Sequence, residues 1–412
     1  METNIVKNII VVYDCAFVNG GGAKVAIQSA ISLSEMNLNV CFFSAVGPIG
    51  DELEDSNVNV CCLGMDDINH GSRLVAIKNG IWNKKASKEF EALLSGYSNK
   101  DTIIHIHGWA KALSSSIIKA ANNKGYKIVI TLHDYFTVCP NGGFYDYKSC
   151  KTCTKSPMSV ACIFCNCDKR NYLQKIWRVL RQVVQDRNVR NNPSIFFISI
   201  SEKNEEVIKP YVKSKSFFRI RNPIDLPQKE IRRQTYSKIF IYVGRISEEK
   251  GTEVFCKAVE ALIDEQVDIN GIVIGDGALH DYLRQKYKRI QFVGWKTSSE
   301  VKNYYQMARA LVLPSKWFEG APLNIIEAMA AGVPCIVSDC TSAVEVIEEG
   351  KTGEVFQSGN IADLKDKIIK LLNDDYLSEL CRYIDDIDLN SLYGNDVHIK
   401  SLLSVYNKLL KS

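Results

Sequence analysis

Apolar runs that do not alternate, each followed by a helical stretch, recur along this chain, pause once and begin again. Ile9–Tyr13 is one such run; Asn19-Gly-Gly-Gly22 follows, then a helical pattern from Ala23 to Met36. Asn39–Ser44, Thr102–His107, Lys127–Leu132 and Ile195–Ile200 have the same character. Strands apolar throughout suit a parallel sheet covered on both faces, since a one-sided sheet would alternate. The rhythm breaks at Asn222-Pro-Ile-Asp225 and Pro227, and the charged stretch Gln228–Gln234 reads as a linker. It resumes with Lys238–Val243, a loop over Gly244–Gly251 and a helix over Thr252–Glu265. Short strands follow at Gly271–Ile274, Ile290–Val293, Ala310–Leu313 and Pro334–Ser338. The expected class is α/β, with two doubly wound domains over 1–222 and 237–385. A linker is expected over 223–236, and a helical tail over 386–412 that packs back on the first domain. A ligand is expected in the interdomain cleft, beyond the carboxyl ends of the strands.

Lys plus Arg number 51 and Asp plus Glu 47, a net charge of +4, which excludes a general nucleic-acid coat. No apolar stretch is long enough to span a bilayer, and the first residues lack the basic region of an export signal. The expectation is a cytoplasmic protein, with room for peripheral contact at the inner face of the membrane.

Six of the fourteen cysteines fall between 139 and 167. Cys150-Lys-Thr-Cys153 and Cys162-Ile-Phe-Cys165 offer two thiol pairs for a structural zinc ion, with Cys139 and Cys167 as spare ligands. The alternative is that this insertion in the first domain (139–167) carries reduced or adventitiously paired thiols. Between Lys169 and Arg190 there are seven cations and one acid, Asp186. Tyr172, Leu173, Ile176, Trp177, Leu180, Val183 and Val184 recur there at helical spacing. Either this helix lies on an anionic membrane, with Trp177, Arg178 and Arg181 at the lipid, or it packs its apolar stripe on the core.

Two segments carry charge in a setting that suits an anion. In Val243-Gly-Arg-Ile-Ser-Glu-Glu-Lys-Gly251 a strand ends at Gly244 and a helix opens at Thr252. Backbone amides, Arg245 and Lys250 can there meet a diphosphate, although a plain turn with solvated charges has the same composition. In Lys316–Pro334, Pro322 suits a first helical turn and the helix continues through Leu323 to Ala331. Glu319 precedes it and Glu327 lies inside it. The amides of Gly320, Ala321 and Leu323 then face an anion, or else Glu327 merely pairs within the fold.

Together these segments resemble the retaining glycosyltransferases of family 4. Glu319 and Glu327 meet the family's Glu-x7-Glu signature. The Gly244-Arg245…Glu249-Lys250-Gly251 loop, Gly275-Asp-Gly277, Phe292-Val-Gly294, Leu313-Pro-Ser315 and Glu345-Val-Ile347 stand around it in the family's order. The resemblance covers nearly the whole chain and implies the GT-B architecture, two facing Rossmann-like domains. It implies that Arg245 and Lys250 hold the diphosphate of a UDP- or GDP-sugar, that Glu327 bonds the ribose and Glu319 the sugar hydroxyls. Gly320, Ala321, Pro322 and Leu323 would line the donor, Gly21 and Gly22 would form the glycine loop under the phosphates, and His133 would stand beside the donor sugar. Lys24 departs from the glutamate that many relatives carry after these glycines, which leaves the acceptor side open. Retention, same-face attack and a saccharide or polyprenyl-linked acceptor of surface polysaccharide or lipopolysaccharide synthesis are further implications. The cationic loop takes the place of a catalytic metal, and no cofactor is expected. A GT-B sugar-nucleotide epimerase or hydrolase, or a non-catalytic nucleotide-sugar binder, remain the alternatives.

Overall fold

The apolar runs form two parallel sheets in the structure, a computed structural model that describes residues 5–66, 73–226 and 237–411. The first contains β1 (Asn8–Val12), β2 (Asn39–Ser44), β3 (Asn59–Cys62), β4 (Thr102–Ile106) and β5 (Lys127–Leu132). A two-stranded antiparallel hairpin, β6 (Tyr145–Asp146) and β7 (Lys151–Thr152), interrupts it, and β8 (Ile195–Ser199) and β9 (Phe217–Arg219) complete it. The strand order is β3-β2-β1-β4-β5-β8-β9. The second sheet comprises β10 (Ile239–Val243), β11 (Asn270–Ile274), β12 (Gln291–Phe292), β13 (Ala310–Leu313), β14 (Cys335–Ser338) and β15 (Gly353–Phe356), in the order β12-β11-β10-β13-β14-β15. All five residues of β4 and all four of β13 are buried, which explains why these runs do not alternate.

In both sheets the chain leaves the central strand on one side and returns on the other. The switch points are β1/β4 and β10/β13. Doubly wound sheets bind ligands outside the carboxyl ends of the strands at such points.

The described residues divide into two compact units. The first draws on Met1–Gly143, Thr154–Pro223 and Asn395–Ser412, the second on Phe144–Cys153 and Ile224–Gly394. The segment that joins the first unit's core begins at Asn395 rather than 386, because Leu389 and Tyr393 pack in the core of the second unit. Its helix, Asn395–Lys411, places Ile399, Leu402, Tyr406 and Leu409 against Ile9 and Val11. Asn407 Oδ1 accepts the backbone N–H groups of Ile5 and Val6 at 2.9 and 3.2 Å. The expected linker lies, from 227 to 236, outside the described residues.

Helix Tyr172–Asn188 corrects the reading in which the basic segment packs its apolar stripe on the core, since Leu173 and Leu180 are exposed. Its polar residues Lys175, Arg181, Gln182, Gln185 and Asp186 are the buried ones. Gln185 accepts from the Trp109 indole at 3.0 Å and donates to the Phe136 carbonyl at 2.5 Å. Gln182 donates to the Thr137 carbonyl, and Arg181 to the carbonyls of Ala110 and Pro140. Arg178 pairs with buried Asp168 at 2.9 Å. The loops after β4 and β5 leave carbonyls that no sheet satisfies, and the helix turns its polar face inward to bond them. Arg178 and Arg181 are therefore structural cations and do not face lipid. No helix among the described residues is long and apolar enough to cross a membrane.

Candidate active site

At the carboxyl end of β10 the chain enters the loop Gly244–Gly251. Gly251 has φ +66°, and a Cβ there would stand 1.8 Å from the Pro314 carbonyl oxygen, so only glycine lets this loop lie against the end of β13. Gly275 is crowded in the same way by the Gly244 carbonyl, at 2.0 Å. The sequence motifs are thus one packed object, in which each glycine admits its neighbour's backbone.

Lys250 Nζ donates to both oxygens of Glu319, at 2.7 and 2.8 Å, and Ser315 Oγ donates to Oε1 at 2.6 Å. Glu319 is only 7% exposed. Burial pushes its pKa up, but the Lys250 charge and the hydrogen bonds from Lys250 and Ser315 outweigh this and hold it below the ordinary glutamate value. It is therefore an anion at neutral pH, aimed by two donors. Lys250 also lies over the Trp317 ring, 5.2 Å from its centroid. Arg245 pairs with Glu249 at 2.9 Å, and its side chain is otherwise exposed. Each cation of the loop is matched by a glutamate.

Pro322 caps the helix Leu323–Ala330, which the sequence reading had extended by one residue. Gly320, Ala321 and Leu323 lie, half-buried, between Glu319 and the first helical turn. Glu327 is half-buried one turn into the helix, where the Tyr305 hydroxyl donates to it at 3.4 Å. Asn324, which the sequence reading missed, ties the helix to β10 by donating to the Val243 carbonyl at 2.8 Å. The second unit thus gathers Gly244, Arg245, Lys250, Glu319 and the start of the Glu327 helix at its switch point.

In the first unit, helix Gly21–Ser34 opens at the glycines that follow β1. A Cβ on Gly22 would meet His133 Cγ at 3.3 Å, whereas Gly21 faces open space, so the bare Gly22 backbone lets the imidazole lie against the helix start. His133 Nε2 bonds His107 Nδ1 at 2.8 Å, His107 Nε2 bonds His105 Nδ1 at 3.2 Å, and the Tyr406 hydroxyl reaches the same His105 nitrogen at 2.6 Å. Thr131 Oγ1 bonds the other His105 nitrogen at 2.7 Å. Burial lowers the pKa of all three imidazoles, His133 to about 3. Neutral rings carry one N–H each, so the tautomer of His133 sets that of His107. Asp14, buried at the end of β1, accepts the N–H groups of Lys111, Ala112 and Leu113 at 2.8–2.9 Å and so fixes the loop after β4. His105 and His107 carried a signal in the sequence, a His-x-His pair on one side of an apolar strand; Tyr406 and Asp14 carried none.

The zinc expectation is not supported. Among the described residues no group of three or more His, Cys, Asp or Glu side chains is placed to hold a metal ion. The hairpin with Cys150 and Cys153 belongs to the second unit, and Cys162 and Cys165 belong to the first, which divides the expected ligand set. Cys162 and Cys167 instead surround the buried Lys175 ammonium, which donates to their sulfurs at 3.7 and 3.3 Å.

The family model for glycosyl transferases group 1 matches residues 225–386. Spore coat protein SA of Bacillus subtilis (strain 168) is 29% identical over 184 residues, 42% of this chain and 49% of that protein. The UDP-Gal:alpha-D-GlcNAc-diphosphoundecaprenol alpha-1,3-galactosyltransferase of Escherichia coli is 29% identical over 183 residues, 42% of this chain and 43% of that enzyme. The chain spans about half the length of the curated relatives it matches. Among solved structures, sucrose-phosphate synthase from Thermosynechococcus elongatus superposes with a TM-score of 0.71 at 18% identity, over 98% of this chain and 99% of that one. Anabaena HepE in complex with UDP gives 0.66 at 14% identity, over 98% and 100%. The fold is that of the GT-B class.

Proposed function

The chain belongs, through residues 225–386, to the glycosyl transferases group 1 family, and from that premise we propose that it is a retaining hexosyltransferase. It moves a sugar from a nucleotide sugar to a saccharide or polyprenyl-linked acceptor in surface polysaccharide or lipopolysaccharide synthesis. The observation that carries this reading is the Lys250–Glu319 pair, which joins two motifs 69 positions apart at the β10/β13 switch point. Glu319, ionised and held by Lys250 and Ser315, accepts from the hydroxyls of the donor sugar. Arg245 and Lys250 meet the charge that grows on the leaving diphosphate, with the amides of Gly320 to Leu323 adding fixed dipoles. Glu327 binds the ribose. His133, neutral, serves the donor sugar as a hydrogen-bonding group rather than as a cation. Acceptor attack on the face that the nucleotide leaves gives retention, through an oxocarbenium-like transition state. The motif order is that of family 4.

A uridine nucleotide is the first candidate donor, because the Escherichia coli relative is named for UDP-Gal and HepE was solved with UDP. A polyprenyl-linked acceptor would bring the reaction to the cytoplasmic face of a membrane. The test is a thermal-shift panel of UDP-, GDP- and ADP-sugars. A true donor at a hundred times its Kd stabilises the fold by about 2.7 kcal/mol, and a panel without any shift overturns the reading.

A further inference from the structure

Four buried side chains of the first unit that the transfer step does not use form a hydrogen-bonded row ending at His133. His105, His107, Thr131 and Tyr406 are 0, 4, 5 and 0% exposed. The Tyr406 hydroxyl and His107 Nε2 both meet His105 Nδ1, at 2.6 and 3.2 Å. Thr131 Oγ1 meets His105 Nε2 at 2.7 Å, and His133 Nε2 meets His107 Nδ1 at 2.8 Å. Burial holds the three imidazoles neutral and the Tyr406 hydroxyl protonated, so each ring has a single N–H to place.

Only one placement gives each of these four contacts a proton of its own. Tyr406 donates to His105 Nδ1, which leaves the His105 proton on Nε2, toward Thr131 Oγ1. His107 donates from Nε2 to the same His105 Nδ1, so its own Nδ1 is bare, and His133 donates to that nitrogen from Nε2. The reverse placement begins with a proton on His105 Nδ1, and that one proton has to serve both Tyr406 and His107. Any mixed placement sets two bare nitrogens, or two N–H groups, against each other. Thr131 suits either direction, because a hydroxyl accepts or donates. The choice therefore falls to the two partners crowded on His105 Nδ1, where a lone pair accepts from both and a proton does not reach both in full.

We infer that Tyr406, acting through His105 and His107, fixes His133 as its Nε2–H tautomer, so that His133 offers a bare Nδ1 that accepts from a sugar hydroxyl and cannot donate to a sugar oxygen. Tyr406, His105 and His107 are positioning residues. The helix Asn395–Lys411 thus acts on His133 as well as on the core of the first unit. The tautomer rests on the first unit alone, whereas its use by a sugar rests on the transferase reading above.

The test is a long-range proton–nitrogen correlation spectrum of the whole chain, labelled with ¹⁵N-histidine, at neutral pH and without ligand. His133→Gln identifies the His133 signals. The parent should show His133 protonated at Nε2 and bare at Nδ1. Tyr406→Phe leaves three contacts and three protons in either direction, so about half of His133 should carry its proton on Nδ1 instead. Thr131→Val removes another bond of His105 but leaves both partners on Nδ1, and it should keep the parent's tautomer. A parent protonated at His133 Nδ1, a Tyr406→Phe spectrum like the parent's, or a Thr131→Val spectrum that redistributes as well, overturns the inference. The consequence is read by calorimetry with UDP-galactose and UDP. Halving the competent tautomer should weaken UDP-galactose about twofold, while UDP, which has no transferred sugar, should bind as before. A redistributed tautomer with unchanged UDP-galactose affinity overturns the use of Nδ1 by the sugar. The spectra need no ligand, so a parent that shows the expected tautomer but binds neither compound sinks the uridine-donor reading alone.

Discussion

Acidification should weaken the first unit, and His398 offers a way to measure it. This residue lies on helix Asn395–Lys411, is 6% exposed, and bonds Ser29 Oγ at 3.1 Å and the Arg221 carbonyl at 2.8 Å. Burial lowers its pKa to about 4, against the opposing pull of the Arg221 bond. In the unfolded chain a histidine titrates near 6.5, so the unfolded state takes up the proton first as pH falls. The contribution of His398 is therefore complete above pH 6.5 and is lost progressively toward pH 4. At pH 5 the loss is about 2 kcal/mol, from roughly 1.4 kcal/mol per pH unit over the interval below 6.5. His105 and His107, also lowered by burial, act in the same direction. Asp14, raised by burial despite its backbone bonds, acts in the opposite one, so the parent's curve mixes signs. His398→Gln separates them. It should cost about 1 kcal/mol at pH 7.5 through its lost hydrogen bonds, yet be the more stable protein at pH 5. The two stability curves should cross near roughly pH 6. Urea unfolding read by hydrogen exchange on peptides from β1 and the 395–411 helix gives both curves. Parallel curves from pH 7.5 to 5 would show that His398 is not held neutral by burial, and the reasoning would fail.

Lys250→Ala strands a buried carboxylate, so it should destabilise the second unit by about 3 kcal/mol as well as abolish turnover. Adding Glu319→Gln should restore the thermal midpoint but not the activity, and full recovery of both would remove the pair from catalysis. Arg245→Ala, which removes a cation proposed to meet the leaving diphosphate, should lower turnover on the order of 100-fold; unchanged kinetics with a verified donor would remove Arg245 from the site. Gly251→Ala should prevent the second unit from folding, whereas Gly294→Ala, with φ +72° and nothing within 4 Å, should cost about 1–2 kcal/mol; equal effects in thermal melts would refute the crowding argument. Lys175→Met, which replaces an ammonium that donates to the sulfurs of Cys162 and Cys167, should leave the melting point unchanged or raise it, and a large drop would show that the thiols pair with the charge.

The strands that built the two sheets were legible because burial on both faces leaves uninterrupted apolar runs. Those that escaped are the ones where that rule fails. β3 is a half-exposed edge, β9 has three residues, and β15 carries the fully buried Glu354, which Lys367 and Lys370 neutralise at 2.9 and 2.6 Å. The residues of the second unit's site could be picked out from motif order, yet the bond between Lys250 and Glu319 could not. Spacing records which residues recur, not which ones meet. Helix Tyr172–Asn188 shows the same limit: periodicity gives two stripes, but which one faces inward was decided by carbonyls in loops that no pattern predicts. Tyr406 lies 301 positions from the histidine it bonds, and no local signal links them.

The return of residues 395–411 to the first unit has a consequence for how the chain is made. Domains emerging from the ribosome generally fold in the order of synthesis. Here the opening strands β1 to β5 are translated early, but the helix that supplies Leu402, Tyr406 and Leu409 to their core comes after all of 224–394. The second unit has every one of its segments once Gly394 is out. Birth order and completion order are thus reversed. The half-built first sheet must wait, with part of its apolar surface uncovered, while a later-born neighbour finishes ahead of it. Holding chaperones and slow translation of residues 395–411 would act on that interval, and an insertion just before Asn395 that delays their release would lengthen it.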